Sequence, residues 1–130
     1  FSQNRIPIPA LAITTDTSAL TAIGNDYDFS CLFARQLQAL CKKEDLVVGI
    51  STSGKSPNVI KGLQEAKNLG AYTVALTGET GGDLQNQGHL LLKVPSQVTA
   101  RIQEMHILAG QIFCGALEQC LGLVKVEPSP

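Results

Sequence analysis

The feature that most constrains the fold is an alternation of short apolar segments, rich in β-branched residues, with longer segments of helical period. Four segments have the nearly continuous apolar composition of strands that are covered on both faces, namely 9–15 (PALAITT), 45–51 (DLVVGIS), 72–78 (YTVALTG) and 89–95 (HLLLKVP). Helices are predicted over 29–43, 56–70 and about 99–121, with a short helix over 82–87. This order is typical of parallel strands joined by helices.

The pattern predicts a doubly wound α/β fold, a three-layer αβα sandwich around a parallel sheet of Rossmann or flavodoxin-like type. We expect 1–125 to form a single domain and 126–130 (VEPSP) to be a frayed tail. Gly70 is placed to cap the second helix. One apolar stripe of the last helix should face the core, and it contains Ile102, Met105, Ala109, Ile112, Phe113, Ala116, Leu117 and Cys120.

Composition argues against several classes of function. Ten basic and eleven acidic residues give a net charge of -1, so we expect no direct binding to nucleic acid and no attraction to an anionic membrane. No apolar run approaches the roughly 18 residues of a membrane span, and no signal peptide is recognisable. Four cysteines lack the spacing of zinc sites, and we predict buried free thiols in a reducing cytoplasm: Cys31, Cys41, Cys114 and Cys120.

The stretch GISTSGKS (49–56) satisfies the G-x-x-x-x-G-K-[ST] pattern of a nucleotide-binding P-loop. Pro57 follows directly, and a residue that precedes proline is disfavoured in the α conformation. Ser56 should therefore be the N-cap and Pro57 the first residue of the helix, which starts too late for a P-loop. We expect no nucleotide cofactor.

The same loop suits a single phosphate group. Four hydroxyls are available, Gly54 permits an unusual turn, and the N–H groups at the helix start favour an anion. The alternative is a serine-rich turn before a capped helix, without a ligand. The four hydroxyl-bearing residues are Ser51, Thr52, Ser53 and Ser56.

Together with their flanks, these segments resemble the sugar isomerase (SIS) domain family, and within it the phosphoheptose isomerases. The resemblance covers almost the whole chain, in the family's order and spacing, through 9–29 (PALAITTDTSALTAIGNDYDF), 49–70 (GISTSGKSPNVIKGLQEAKNLG), 75–84 (ALTGETGGDL) and 94–108 (VPSQVTARIQEMHIL). It implies an aldose-ketose isomerase that interconverts sedoheptulose 7-phosphate and D-glycero-D-manno-heptose 7-phosphate. Such an enzyme supplies heptose for lipopolysaccharide and other surface polysaccharides. The resemblance also implies a cytoplasmic homotetramer with sites between subunits.

The resemblance implies roles for particular residues. The hydroxyl-bearing loop would bind the substrate phosphate, and Asp26 of the GND segment would contact sugar hydroxyls. Asp16, at a predicted strand end, has two equally supported roles, in substrate binding or in capping the following turn. Gln103 matches a family residue that contacts the substrate or a zinc ion, although a solvated or capping role is the more usual one for such a glutamine.

Isomerisation through an enediol requires a base and an acid. By the resemblance, the family's glutamate would lie upstream of Phe1, with the N-terminal helices and the first strand, outside this chain. The family's catalytic histidine corresponds to Gln111, which has no titrating group. His106 matches a different family histidine and is the alternative catalytic candidate. If zinc is bound, Gln103 and Gln111 occupy the matching positions.

The substitution at Gln111 leaves a second hypothesis open. Some SIS relatives serve as non-catalytic binding modules, including a bacterial protein that associates with the replication initiator, and their last helix also lacks this histidine. The GNDYDF and STSGKSPN segments resemble the isomerase branch more closely.

Overall fold

The computed structural model describes residues 4–124, and the tail predicted for 126–130 lies outside this range. The helices are α1 (Thr17–Asp26), α2 (Leu32–Leu40), α3 (Pro57–Asn68) and α4 (Thr99–Cys120). The strands are β1 (Leu46–Ile50), β2 (Tyr72–Thr77) and β3 (Leu90–Lys93). Two short 3-10 helices, Phe29–Cys31 and Gly82–Asn86, precede α2 and β3.

The strands form one parallel sheet in the order β1-β2-β3. Gly49 is opposite Ala75, and Ala75 is opposite Leu91. The parallel α/β architecture predicted from the sequence is confirmed. All three strands run in the same direction, so the loops that follow them lie at one edge of the sheet, where α/β proteins bind ligands.

Helix α3 covers one face of this sheet, and α2 packs against α3. Leu63 of α3 packs with Ala75 and with Leu84 of the second 3-10 helix, and all three are buried. A Cβ at Gly49 would lie 2.8 Å from Leu63 Cδ1, so the glycine lets α3 approach β1 closely. As predicted, Gly70 ends the helical segment in a left-handed conformation, with φ +86°.

The opposite face is covered only in part by α4 within residues 4–124. Leu46, Val48 and Ile50 of β1 remain 44%, 48% and 55% exposed. On α4, Ile102 and His106 are buried. The prediction that its whole apolar stripe enters the core is therefore wrong, because Met105, Ile112 and Phe113 remain exposed to solvent within the described residues.

The predicted burial of the cysteines is likewise wrong. Cys114 and Cys120 are exposed on the uncovered part of α4, and Cys31 and Cys41 are only partly buried. All four are free thiols in the structure. No helix within residues 4–124 combines the length and hydropathy needed to cross a bilayer.

The segment 9–15 is not a strand, contrary to its apolar pattern. A cleft of about 320 Å³ lies between 11–14 and β1, with α2 and α3 forming its floor. A strand requires a hydrogen-bonded neighbour, and within the described residues no strand occupies this cleft. Helix α1 was not predicted from the sequence, and Asp16 caps its first turn.

Candidate phosphate-binding site

The loop between β1 and α3, Ser51–Ser56, is called here the hydroxyl loop. Ser56 is extended, with φ -70° and ψ 112°, and α3 begins at Pro57, as predicted. Lys55 is exposed and precedes the helix. In a P-loop the corresponding lysine lies where the helix begins, beside the phosphates. The geometry therefore differs from that of a triphosphate-binding loop.

The two ends of the hydroxyl loop are joined through their side chains. Ser51 Oγ and Ser56 Oγ lie 2.9 Å apart, and Ser51 is buried. The loop turns sharply because Gly54 N–H donates to the Ser51 carbonyl and Gly54 has φ +66°. Ser53 Oγ accepts a hydrogen bond from the Lys55 N–H. Ser56 occupies the N-cap position, but its side chain makes no capping bond and pairs with Ser51 instead.

The backbone of the hydroxyl loop also offers hydrogen-bond donors. Within residues 4–124, the N–H groups of Thr52, Ser53 and Ser56 have no hydrogen-bond acceptor. They lie at or just before the N-terminus of α3, where the helix dipole favours negative charge. Unpaired N–H groups and hydroxyls around one small turn provide the donors that a single phosphate needs.

A second loop, Gly78–Gly82, is called here the glycine loop and packs against the hydroxyl loop. Gly78 N–H donates to the Thr52 carbonyl at 2.9 Å. Just beyond this loop, Leu84 N–H donates to the Gly54 carbonyl at 3.2 Å. Sequence reasoning did not identify this contact, although the clustered glycines after β2 were a visible signal.

The first turn of α4 also packs where the glycine loop meets the hydroxyl loop. A Cβ at Gly78 would lie 2.7 Å from both Ile102 Cδ1 and the Thr52 carbonyl oxygen, so three elements meet at this glycine. Gln103, the residue after Ile102, is exposed on the first part of α4. Gln111 is also exposed, but eight residues along a continuous helix separate the two by about 12 Å.

His106 lies beneath the end of β2. Its imidazole is 5% exposed, and Nε2 is 3.1 Å from the Thr77 carbonyl oxygen. Because a carbonyl only accepts, this contact assigns the proton to Nε2. Nδ1 is buried and has no partner within the part of the chain that the structure describes. His106 is thus packed against the end of β2 in this structure and is almost fully shielded from solvent.

The two candidate aspartates lie at opposite ends of α1. Asp16 is its N-cap, and its Oδ1 accepts the Ala19 N–H at 3.0 Å, which is the capping role considered above. Asp26 is the last residue of the helix and accepts a hydrogen bond from the Asn25 amide. Both side chains are exposed, and about 15 Å of helix separates them.

The segment after Asp26 is tied to α3. Lys61 Nζ of α3 donates to Ser30 Oγ at 2.6 Å. Asp28 accepts the Ser30 N–H, and hydrogen bonding from the Ser30 side chain holds the pKa of Asp28 below its usual value. Through Ser30, residues shortly after the GND segment are thus hydrogen-bonded to the helix that begins at the hydroxyl loop.

The residues available here do not make a zinc site by themselves. Zinc is held by thiolate, imidazole and carboxylate groups. Within residues 4–124 no group of three His, Cys, Asp or Glu side chains could hold a metal ion. The two remaining candidates, Gln103 and Gln111, offer neutral amide oxygens whose backbones are about 12 Å apart.

The sequence is similar to the SIS domain family and to proteins named phosphoheptose isomerases. The sequence profile of the SIS domain family matches residues 1–78. A phosphoheptose isomerase of Aquifex aeolicus is 51% identical over 119 residues, covering 92% of this chain and 62% of the relative. A probable phosphoheptose isomerase of Thermoplasma acidophilum is 47% identical, covering 92% of this chain and 65% of the relative.

Solved structures show the same fold. A phosphoheptose isomerase from Francisella tularensis superposes with a TM-score of 0.86 at 42% identity, covering 88% of this chain and 62% of that protein. The phosphoheptose isomerase from Neisseria gonorrhoeae gives a TM-score of 0.77 at 48% identity, covering 82% and 60%. The chain thus spans a little over three fifths of the length of the first of these relatives.

Proposed function

Because this chain belongs to the SIS domain family, we propose that it is part of a phosphoheptose isomerase. The reaction is the interconversion of sedoheptulose 7-phosphate and D-glycero-D-manno-heptose 7-phosphate. The observation that carries the proposal is the hydroxyl loop, which contains the Ser51–Ser56 hydroxyl pair and N–H groups without an acceptor within residues 4–124, directly before α3. The relatives described above, about 50% identical and named phosphoheptose isomerases, support the choice of reaction.

The hydroxyl loop would hold the phosphate and so anchor the sugar. Hydrogen bonds to a charged phosphate are about twice as strong as neutral ones, and several of them in one loop fix both position and orientation. The carbon chain of the bound sugar would extend away from the hydroxyl loop. Asp26 is the proposed hydrogen-bond partner of the sugar hydroxyls. Gln103, exposed beside the Ile102–Gly78 contact, is the proposed α4 residue nearest the ligand.

The chemistry moves a proton from C1 of the ketose to C2, through an enediol, while the carbonyl moves from C2 to C1. A base must remove the C1 proton, and an acid must protonate the oxygen that becomes a hydroxyl. Gln111 has no titrating group, and His106 is buried against Thr77. We therefore assign the base to a part of the protein outside residues 4–124, in line with the upstream glutamate that the resemblance implies.

The oligomeric state, the location and the pathway are also proposed from the family resemblance. We propose a homo-oligomer, a tetramer by the family resemblance, and the exposed apolar side chains of α4 are a surface that such contacts would cover. The proposed location is the cytoplasm, and the proposed pathway is heptose supply for surface polysaccharides. A zinc ion would need ligands from outside the described residues, so no step is assigned to one.

The proposal is tested by titration calorimetry of the complete protein with three ligands. We expect binding of sedoheptulose 7-phosphate, much weaker binding of unphosphorylated sedoheptulose, and no binding of ATP with magnesium. Binding should depend on the phosphate because the hydroxyl loop holds it. ATP should not bind because the helix starts too late, at Pro57, for a P-loop. ATP binding that requires Lys55 would contradict the proposal.

A non-catalytic phosphosugar-binding or regulatory module is the alternative, favoured by the amide at Gln111. It predicts the same binding without turnover. Measuring sedoheptulose 7-phosphate isomerisation beside the calorimetry therefore separates the two functions.

A further inference from the structure

We infer that the glycine loop is the positioning element of the proposed phosphate site, and that Gly82 holds the hydroxyl loop in its binding conformation. The inference rests on the phosphate site proposed above. The glycine loop would contact no ligand itself. It would act by fixing the backbone from which the hydroxyl loop donates its hydrogen bonds.

The two loops touch through their backbones. A Cβ at Gly54 would lie 2.1 Å from the Gly81 carbonyl oxygen. A Cβ at Gly82 would lie 2.6 Å from the Ser53 carbonyl oxygen and 2.7 Å from Gly54 C. Neither position has room for any side chain, so the two loops approach as closely as glycine allows.

The backbone conformation at these positions also requires glycine. Gly54, Gly81 and Gly82 have φ of +66°, +72° and +52°, in the left-handed region that glycine adopts without strain. Two hydrogen bonds hold this close approach in place: Gly78 N–H donates to the Thr52 carbonyl, and Leu84 N–H donates to the Gly54 carbonyl. The Thr52 and Gly54 carbonyls are thereby occupied, while the N–H groups of Thr52, Ser53 and Ser56, which have no acceptor within residues 4–124, remain available for an anion.

Gly81 provides a matched control for Gly82. Both have a positive φ and lie in the same loop, so an alanine strains each backbone in a similar way. A Cβ at Gly81, however, would meet the Gln85 side chain, with Cγ at 2.6 Å, and a flexible side chain can move aside. Only the Cβ at Gly82 would push on the hydroxyl loop.

The test measures the affinity of the complete protein for sedoheptulose 7-phosphate in Gly82→Ala and Gly81→Ala. Loss of one or more phosphate hydrogen bonds should weaken binding on the order of 10- to 100-fold in Gly82→Ala. Binding by Gly81→Ala should stay within about threefold of the parent, with a similar fall in Tm in both variants. Equal losses of affinity in the two variants, or no loss in either, would overturn the inference.

A second readout does not depend on the ligand. Amide exchange of Gly54 N–H, which bonds the Ser51 carbonyl within the hydroxyl loop, should be faster in Gly82→Ala and unchanged in Gly81→Ala. If the parent fails to bind the sugar phosphate, the proposed function fails, and this exchange still reports whether the loops are coupled. Unchanged Gly54 exchange in Gly82→Ala would contradict the coupling.

A third measurement needs no variant and covers the case in which Gly82→Ala does not fold. Coupling between two sites is reciprocal. Saturating sedoheptulose 7-phosphate should therefore slow exchange of Leu84 N–H, although this group bonds Gly54 and not the ligand. Protection of Thr52 and Ser53 without protection of Leu84 would show that the glycine loop is independent of the site.

Discussion

The hydroxyl oxygens of Ser51 and Ser56 lie 2.9 Å apart and close the loop between β1 and α3 into a ring. One serine is the residue that follows β1, and the other is the N-cap residue of α3. Each hydroxyl can donate to only one acceptor at a time, so one of the two protons is free for a ligand. The pair therefore both shapes the loop and supplies it with a donor.

Replacing Ser56 with alanine should weaken binding of sedoheptulose 7-phosphate by roughly 10- to 150-fold, the loss expected for one charge-assisted hydrogen bond. Ser53→Ala should have an effect of the same order. The fold should change little, because Ser56 makes no capping bond. Calorimetry gives the affinity and thermal unfolding gives the stability.

Ser18→Ala is the matched control, since Ser18 is an exposed serine of α1 outside the loop. Its affinity should equal that of the parent. Parent-like affinity in both Ser53→Ala and Ser56→Ala would mean that the loop is only a turn.

Asp16 can be assigned to capping or to substrate binding with two substitutions. Asp16→Ala removes the bond from Ala19 N–H and should lower the free energy of unfolding by about 0.5–2 kcal/mol. Asp16→Asn keeps a capping oxygen and should retain most of that stability. If capping is its whole role, Asp16→Asn also retains substrate affinity, and a large loss of affinity in Asp16→Asn would assign the carboxylate to the ligand.

The sequence predicted those features that depend on local pattern. The three strands of the sheet, the late start of α3 at Pro57 and the left-handed Gly70 were all anticipated, because apolar runs, proline and glycine act on their own segment. The segment 9–15 has the same apolar pattern, but a strand also needs a neighbour, which a local pattern does not include. Helix α1 was missed because its threonines, glycine and asparagine are weak helix formers.

The candidate site was predictable in part for the same reason. The hydroxyl-rich composition of 51–56 is local, and so is the capping position of Ser56. The Ser51–Ser56 bond and the contact between Gly54 and the glycine loop join residues that only the folded chain brings together. The burial of His106 also depends on where α4 crosses the end of β2.

The uncovered face of β1 predicts how this 130-residue chain behaves alone. Exposed Leu46, Val48 and Ile50 lie on an edge strand, a combination that favours association. We expect concentration-dependent oligomers by sedimentation velocity, reduced by Val48→Lys. Thr21→Lys adds the same charge on exposed α1 and should have little effect. A chain that stays monomeric at all concentrations would contradict this expectation.

Gln111→His should raise isomerase turnover in the complete protein by about 10²- to 10⁴-fold if proton transfer limits the rate. The new activity should follow a titration near neutral pH, where an imidazole changes charge. Substrate affinity should change little, because the hydroxyl loop is untouched. The rate is measured from pH 5 to 9 for the parent and the variant.

His106→Ala is the companion variant for this helix. It removes the bond to Thr77 and a buried ring, so it should lower stability, while parent turnover per folded molecule is retained. Turnover that is abolished by His106→Ala and unaffected by Gln111→His would show that the catalytic position on α4 has been assigned to the wrong residue.

The proposed isomerase activity can be measured by incubating the complete protein with sedoheptulose 7-phosphate and following the formation of the aldose by NMR. We expect D-glycero-D-manno-heptose 7-phosphate to form until equilibrium is reached, with slower formation in Ser56→Ala and an unchanged rate in Ser18→Ala. A folded protein that binds sedoheptulose 7-phosphate but forms no aldose, at any pH from 5 to 9, would rule out the isomerase function and identify a binding module instead.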